Sequence, residues 1–343
     1  MRRALTLSGD SPMNCVPLRR LTLKSIAASS LALHGFGWAQ GGPYPSRTVK
    51  MVVGSPPGGP SDFMARIFGD ALSQSLGQSF VVENKPGASG MPAADSVVRS
   101  NPDGHTLLMS GPASIAVVPH LFPKITYDPM TDLTPISMLG AGAFVLVVHP
   151  SVPVRNVQEL IQLARSKPMG LTYGSGGNGS SGHLCTELFC SLTDTRMVHI
   201  PYKGDGQAVN DLLAGQIQIM FTAPNVAMAN VKAGRLKLLA VTTKDRVPSM
   251  TDVPAVHETL KDFEYLGWIL AFAPSATPRS VIDTLASSWN KARTTPAIRS
   301  KLEDLAMSAP ERFANRSTLI DFVKSEHARL GKLIRDAGIK AEG

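Results

Sequence analysis

Short apolar runs alternate with glycine-rich turns and amphipathic stretches along most of the chain, which is the texture of α/β units. Val49–Val53 predicts a strand, residues 54–60 a loop, and Ser61–Leu76 a helix with Ser61 or Asp62 placed to cap it. Phe80–Glu83 predicts a second strand, Met91–Arg99 a helix, and 101–104 a turn into a strand at His105–Met109. A second series follows a β-rich run at Phe144–His149. Its helices are read at 157–166, 181–192, 208–214 and 224–232, and its strands at 171–173, 197–200, 217–221 and 236–241. Tyr265–Ala273 returns as an apolar strand, and helices at 278–293, 296–306 and 317–337 finish the chain. Alternation this regular implies parallel or mixed sheets with helices on both faces. The helical tail is expected to pack on the first unit, with strands near 144–149 and 265–273 as a hinge.

Two loops of the same kind stand out, at 54–62 and at 174–182, each between a strand and a helix. The first N–H groups of a helix lack intrahelical partners and carry the positive end of its dipole. Glycines let an anion approach them, so Gly58, Gly59 and Gly176 are candidate ligand contacts. Ser55, Ser61, Ser175, Ser180 and Ser181 add hydroxyls. Asp62, Asn178, His183 and Thr222 complete the two clusters, and Ser110 and Ser114 are read as further contacts after the strand at 105–109. Two anion sites facing one cleft would suit a small molecule with one carboxylate held from both sides, or a carboxylate at each end. The competing reading of either loop is an ordinary capped turn.

Composition and charge narrow the class. The 343 residues are 43% hydrophobic and 17% charged, which excludes a disordered chain and gives length for two domains. No charge-free apolar run of about 18 residues interrupts the body of the chain, so a polytopic membrane protein is excluded. The net charge is +8, but residues 1–39 hold five basic groups and one acid. The remaining 29 basic and 25 acidic residues are interspersed, with no clustered basic surface for nucleic acid. A basic stretch at 19–24 followed by an apolar run at 26–39, ending in Gly37, Trp38 and Ala39, reads as an export signal cleaved after Ala39. Arg19 and Arg20 fit a twin-arginine signal or an ordinary secretory one, and Met13 is an alternative start. Cys15 precedes the apolar run, which argues against a lipid anchor.

Other chemistries fail on spacing. Gly174, Gly176 and Gly179 spell a dinucleotide fingerprint, with Asp194 twenty residues on, but loop glycines make such matches common. The chain has no Gly-x-Ser-x-Gly elbow, no His-Glu-x-x-His and no paired acids in either loop. His183 and Glu187 lie one helical turn apart, as a surface pair or as an orienting pair. Cys185 and Cys190, five apart on a helix, read as buried free thiols, with neither a disulfide nor a zinc framework.

Several stretches together carry a family resemblance: Tyr44–Val49, Pro56–Asp62 with Ala65 and Arg66, Val82–Ala88, Asn101–Leu108, Tyr127–Pro129, Gly177–Ser180 with His183 and Leu184, Val198–Gly204, and Leu239–Thr242. In this order they resemble the extracytoplasmic receptors of tripartite tricarboxylate transporters, the Bug receptors. The resemblance implies a two-domain periplasmic binding protein fold of α/β class, type II-like, with mixed sheets flanked by helices and a two-strand hinge. Domain I would take residues 44–146 plus 250–343, and domain II 147–249. It further implies a periplasmic monomer without cofactor, not an enzyme. Such a receptor closes on a small carboxylate, a di- or tricarboxylate or an aromatic acid, and delivers it to integral-membrane subunits. In the family the ligand lies between the two loops, often with waters bridging its carboxylate to the backbone. Alternatives are a ligand-reporting partner of a sensor and a dinucleotide-dependent enzyme. This chain departs from the pattern at Gly54 and Ser55, where relatives have proline and an aromatic, and at Thr222–Pro224, where many have an acid or amide. Without an acid there, a ligand without an ammonium group is expected.

Overall fold

The computed structural model describes residues 44–122 and 124–340, so the expected export signal at 1–39 lies outside the described residues. The strands are β1 (Val49–Val53), β2 (Phe80–Asn84), β3 (Thr106–Ser110), β4 (Leu133–Ala143), β5 (Val145–Val148), β6 (Thr172–Ser175), β7 (Val198–Pro201), β8 (Ile219–Thr222), β9 (Lys237–Val241), β10 (Leu266–Pro274) and β11 (Met307–Ser308). The helices are α1 (Pro60–Leu76), α2 (Met91–Val98), α3 (Val118–Leu121), α4 (Val157–Ser166), α5 (Ser181–Thr193), α6 (Asp205–Leu213), α7 (Pro224–Lys232), α8 (Val256–Thr259), α9 (Arg279–Arg293), α10 (Pro296–Asp304) and α11 (Arg316–Asp336). None is long and apolar enough to cross a membrane.

Two mixed sheets form two lobes. The first has the order β11-β4-β10-β3-β1-β2, the second β7-β6-β8-β5-β9. β1 pairs in parallel with β2 and β3, as crossover helices α1 and α2 require, whereas β10 joins β3 and β4 antiparallel. The second sheet repeats the mixture, with β6 parallel to β7 and β8 and β5 antiparallel to β8 and β9.

The chain crosses between lobes twice, and the crossings are tied together. Only Phe144 separates β4 from β5. Its N–H donates to Thr242 Oγ1 at 2.8 Å, and its carbonyl accepts from the Thr242 N–H at 3.0 Å. Tyr265 N–H then donates to the Thr242 carbonyl at 2.9 Å. The crossing points are therefore Phe144 and the pair Thr242–Tyr265, rather than the strands at 144–149 and 265–273. Those strands belong to the second and first sheet respectively.

The return to the first lobe also falls later than residue 250. Val241 bridges Ala255, the Val241 N–H donates to the Pro254 carbonyl, and α8 packs on α4. Ala255 is buried in the same apolar cluster as Val145 and Leu212, so burial keeps this segment with the second sheet.

One apolar cluster fills the face of the first sheet under α1, α9 and α10. Another fills the opposite face and continues without a break into the second lobe, joining Leu330 and Leu333 of α11 to Leu184 and Phe189 of α5. The tail thus packs on the first lobe, as its amphipathic pattern implies, and α11 also reaches the second. Cys185 and Cys190 are buried free thiols in this region.

Two elements are not apparent from the periodicity. β4 is buried on both faces, so it shows no alternation, and Pro135 and two glycines interrupt it. A bulge in its pairing with β10 falls at Pro135, which lets a residue without an N–H sit inside a sheet. Residues 113–117 form one wide π-type turn leading into α3. Val117 and Leu121 there pack against the second loop, where a Cβ on Gly179 would stand 2.6 Å from Leu121 Cδ1.

Candidate functional site

A cavity of about 230 Å³ lies between the lobes. Ser55, Pro60 and Ser61 reach it from the first lobe, and Ser181, Ala223, Pro224 and Asn225 from the second. Three helices, α1, α5 and α7, therefore begin at one cavity. Their local sequences explain this: Pro60 and Pro224 stand at the first helical position, where the missing N–H is not needed and the fixed φ starts the helix.

The helix ends differ in how they are capped. Ser180 caps α5 by accepting from the His183 N–H. The N-caps of α1 and α7 are Gly59 and Ala223, and neither supplies a side-chain cap. The N–H groups of Ser61 and Asn225, both lining the cavity, thus have no intrahelical carbonyl, whereas the Val226 N–H donates to the Ala223 carbonyl at 3.0 Å. Ser55 Oγ is buried beside them with no hydrogen-bond partner. Such groups mark a place where a ligand or water completes the bonding.

The rest of the wall is apolar. It comes from Gly111–Ala113 after β3, Gly142–Phe144 at the end of β4, Gly267–Ile269 of β10, Leu305, and Met307 of β11. The Trp268 side chain is buried against Phe322 of α11 and donates its indole N–H to Glu326 Oε2 at 3.1 Å, so it offers the cavity no donor. Among the described residues, no Asp, Glu, Lys, Arg or His lines the cavity.

Of the residues expected from the sequence, Ser55, Ser61 and Ser181 line this cavity. The others lie outside its lining, and most have their polar groups engaged within the protein. The Gly58 N–H donates to Asp62 Oδ2 at 3.0 Å, and the Gly59 N–H donates to the Pro56 carbonyl at 3.4 Å. Asp62 is buried under that loop. It accepts from Arg66 and Asn84 as well, and the Arg66 guanidinium holds its carboxyl down at about 2. Ser110 and Ser114 bond each other at 2.6 Å, and the Tyr127 hydroxyl donates to the Ser114 carbonyl.

The second loop is satisfied more completely. Ser175 Oγ lies 2.7 Å from His199 Nε2, and Gly177 N–H donates to the same oxygen. Asp205, which packs on Gly176, accepts at Oδ2 from Thr222 Oγ1 at 3.0 Å. Gly179 N–H donates to His183 Nδ1 at 3.1 Å. Asn178 is half-buried and makes no side-chain hydrogen bond. The loop's glycines answer a packing need. A Cβ at Gly174 would stand 2.3 Å from Ile217 Cδ1, one at Gly176 would stand 2.6 Å from Asp205, and one at Gly182 would stand 2.5 Å from the Phe221 carbonyl. That accounts for the spacing 174, 176, 179 without a dinucleotide. Asp194 sits in the left-handed cap of α5, not at a strand end.

Behind the loop the rings of Tyr173, His199 and His183 stack, with centroids 4.8 and 3.9 Å apart. Burial pushes His183 down to about 3, helped by His199, and burial alone pushes His199 down to about 4. Both rings are therefore neutral at neutral pH, and His183 Nδ1 accepts from Gly179. The 3.9 Å contact of His183 with Glu187 is not an ion pair, and the Glu187 carboxyl, raised by burial, accepts instead from the Tyr173 hydroxyl at 2.5 Å.

The sequence reading does not reach Asn225, Phe144, Trp268 or Met307. Pro224 at a strand-to-helix junction is the one local signal for the third helix end. The aromatic wall is assembled from segments more than a hundred residues apart and has no local signature.

Two lobes, two tied crossings and a cavity at converging helix ends define a periplasmic-type solute-binding fold. A family model described as "Tripartite tricarboxylate transporter family receptor" matches residues 64–339, and the chain belongs to that family. Among curated relatives, BugT of Bordetella pertussis is 34% identical over 299 residues, 87% of this chain and 91% of BugT. Among solved structures, R. palustris Rpa4515 with adipate is 32% identical with a TM-score of 0.79, over 87% of this chain and 99% of that one. MatC from Rhodopseudomonas palustris with bound malate is 29% identical with a TM-score of 0.76, over 85% and 100%. These are receptors for solutes, not enzymes.

Proposed function

We propose that this receptor captures a small carboxylate between its lobes in the periplasm and delivers it to the integral-membrane subunits of a tripartite tricarboxylate-type transporter. The observation that carries the reading is the convergence of three helix N-termini, two without side-chain caps, on a cavity with no charged side chain. Fixed N–H dipoles and hydroxyls suit a carboxylate, because charge-assisted hydrogen bonds offset its desolvation and no side-chain counter-ion is needed. Adipate and malate in the related structures support the same ligand class. Ser55, Ser61 and Ser181 would contact the carboxylate with first-turn amides. Gly58, Gly59, Asp62, Ser175, Gly176, Asn178, Ser180, His183 and Thr222 would hold the loops that present them, and Ser110 with Ser114 the wall behind. The lobes swing about Phe144 and Thr242–Tyr265, and the mature monomer begins after Ala39.

Titration calorimetry with matched acid and amide pairs tests the reading. An acid is expected to bind and its primary amide to bind at least tenfold more weakly. An amide equal to its acid would remove the anion site.

A further inference from the structure

The part of the cavity wall away from the helix ends holds Gly111–Ala113, Phe144, Trp268, Ile269, Leu305 and Met307, and no side chain there offers a ligand a free donor. Gly142 and Ala143 are paired with β10, Gly142 also with Met307 of β11, and both polar backbone groups of Phe144 are bonded to Thr242. The Trp268 N–H is engaged by Glu326. Gly267 has a part in this surface, since a Cβ there would stand 2.6 Å from the Phe144 ring.

A second carboxylate pressed into this wall would lose its water and meet no cation and no side-chain donor, which is strongly unfavourable. An apolar group would instead gain from burial, and a ring would gain further from Phe144 and the Met307 thioether. Size sets a limit as well. An apolar cavity of about 150 Å³ takes up benzene, so about 230 Å³ suits one ring plus a carboxylate.

Resting on the carboxylate reading above, we infer that the ligand is a monocarboxylate with a single-ring-sized apolar body, and that Phe144, Leu305 and Met307 select against a second charge. The relatives solved with adipate and malate hold dicarboxylates, so this chain differs from them in ligand charge.

Calorimetry on the full mature protein tests this with benzoate, cyclohexanecarboxylate, terephthalate, adipate and benzamide. Benzoate or cyclohexanecarboxylate is expected to bind at least tenfold more tightly than either dicarboxylate. Met307→Lys, at a half-buried edge-strand position, is expected to weaken benzoate and strengthen terephthalate, narrowing the ratio at least tenfold. Terephthalate or adipate equal to or tighter than the monocarboxylates, with benzamide still weak, would overturn this inference alone. Benzamide as tight as benzoate, or no binding by any acid, would overturn the carboxylate reading and this inference with it.

Discussion

The two glycine-rich loops look alike in sequence and behave differently in the fold. The loop at 54–62 is largely exposed. Its buried anchor is one carboxylate, Asp62, and it leaves Ser55 Oγ without a partner at the cavity. In the loop at 174–182 the Gly177 and Gly179 amides and the Ser175 hydroxyl are bonded to Ser175, His183 and His199, and its glycines are pressed against neighbouring backbone and side chains. In the first loop Gly58 serves turn geometry at φ +86° and only Gly54 is pressed on a neighbour, Gly90, whereas in the second most glycines are closely packed, with positive φ at Gly177 and Gly179 as well. In neither does the loop itself present its amides to the cavity; the first turns of the following helices do. A glycine-rich strand-to-helix loop therefore signals where a helix end will be, and does not by itself mark the anion cradle.

The largest expected effect separates the loops by packing. Gly182→Val places a branched side chain 2.5 Å from the Phe221 carbonyl and is expected to cost about 3 kcal/mol or more in urea unfolding. A loss below about 1 kcal/mol would show that the second loop is not tightly packed.

Acid sharpens the contrast next. His183 and His199 are depressed to about 3 and about 4 against an unfolded value near ~6.5. The unfolded chain thus binds more protons between those values, so their contribution is complete above about pH 6.5 and is lost as pH falls toward 4. His120, also lowered by burial, acts in the same sense. The Asp62 anchor of the first loop titrates only near 2. The melting temperature is expected to fall by roughly 5 °C between pH 6.5 and 4.5. In the double variant His183→Asn, His199→Gln, which keeps acceptors near both ring nitrogens, most of that slope should vanish. A slope unchanged in the variant would assign it to other groups.

Ligand affinity follows. Ser61→Ala and Ser181→Ala each remove one hydroxyl from the cavity, one per lobe, and each is expected to weaken carboxylate binding about tenfold, or about 1.4 kcal/mol, in calorimetry. An effect confined to one of them would mean that only one lobe holds the charge.

The smallest effect is expected at Gly58, where nothing lies within 4 Å of an added Cβ but φ is +86°. Gly58→Ala should cost about 1 kcal/mol of stability and leave affinity unchanged. A tenfold loss of affinity would return this loop to the site.

Most of the fold is legible in the sequence because its elements are short, alternate regularly and are punctuated by glycine and proline. β1, α1, α4 and β9 fall where their patterns predict. β4 is not legible, because a strand buried on both faces loses its alternation and Pro135 argues against it until the bulge is seen. The wide turn at 113–117 has no pattern of its own. The site is legible in part. Serines at helix starts can be recognised from the chain, whereas which amides stay free depends on Asp62 and His183 reaching back to the loops. The apolar wall depends on β4, β10 and β11 meeting, a tertiary fact that no local window contains.

The central claim is that first-turn groups of α1, α5 and α7 hold the ligand's charge. A crystal structure of the protein with a bound carboxylate tests it most directly. The account predicts carboxylate oxygens at about 2.7–3.2 Å from the N–H or hydroxyl of Ser61, Ser181 or Asn225, or one water removed from them. A carboxylate seated on the amides of Gly176–Gly179, or on a Lys or Arg side chain, would contradict it.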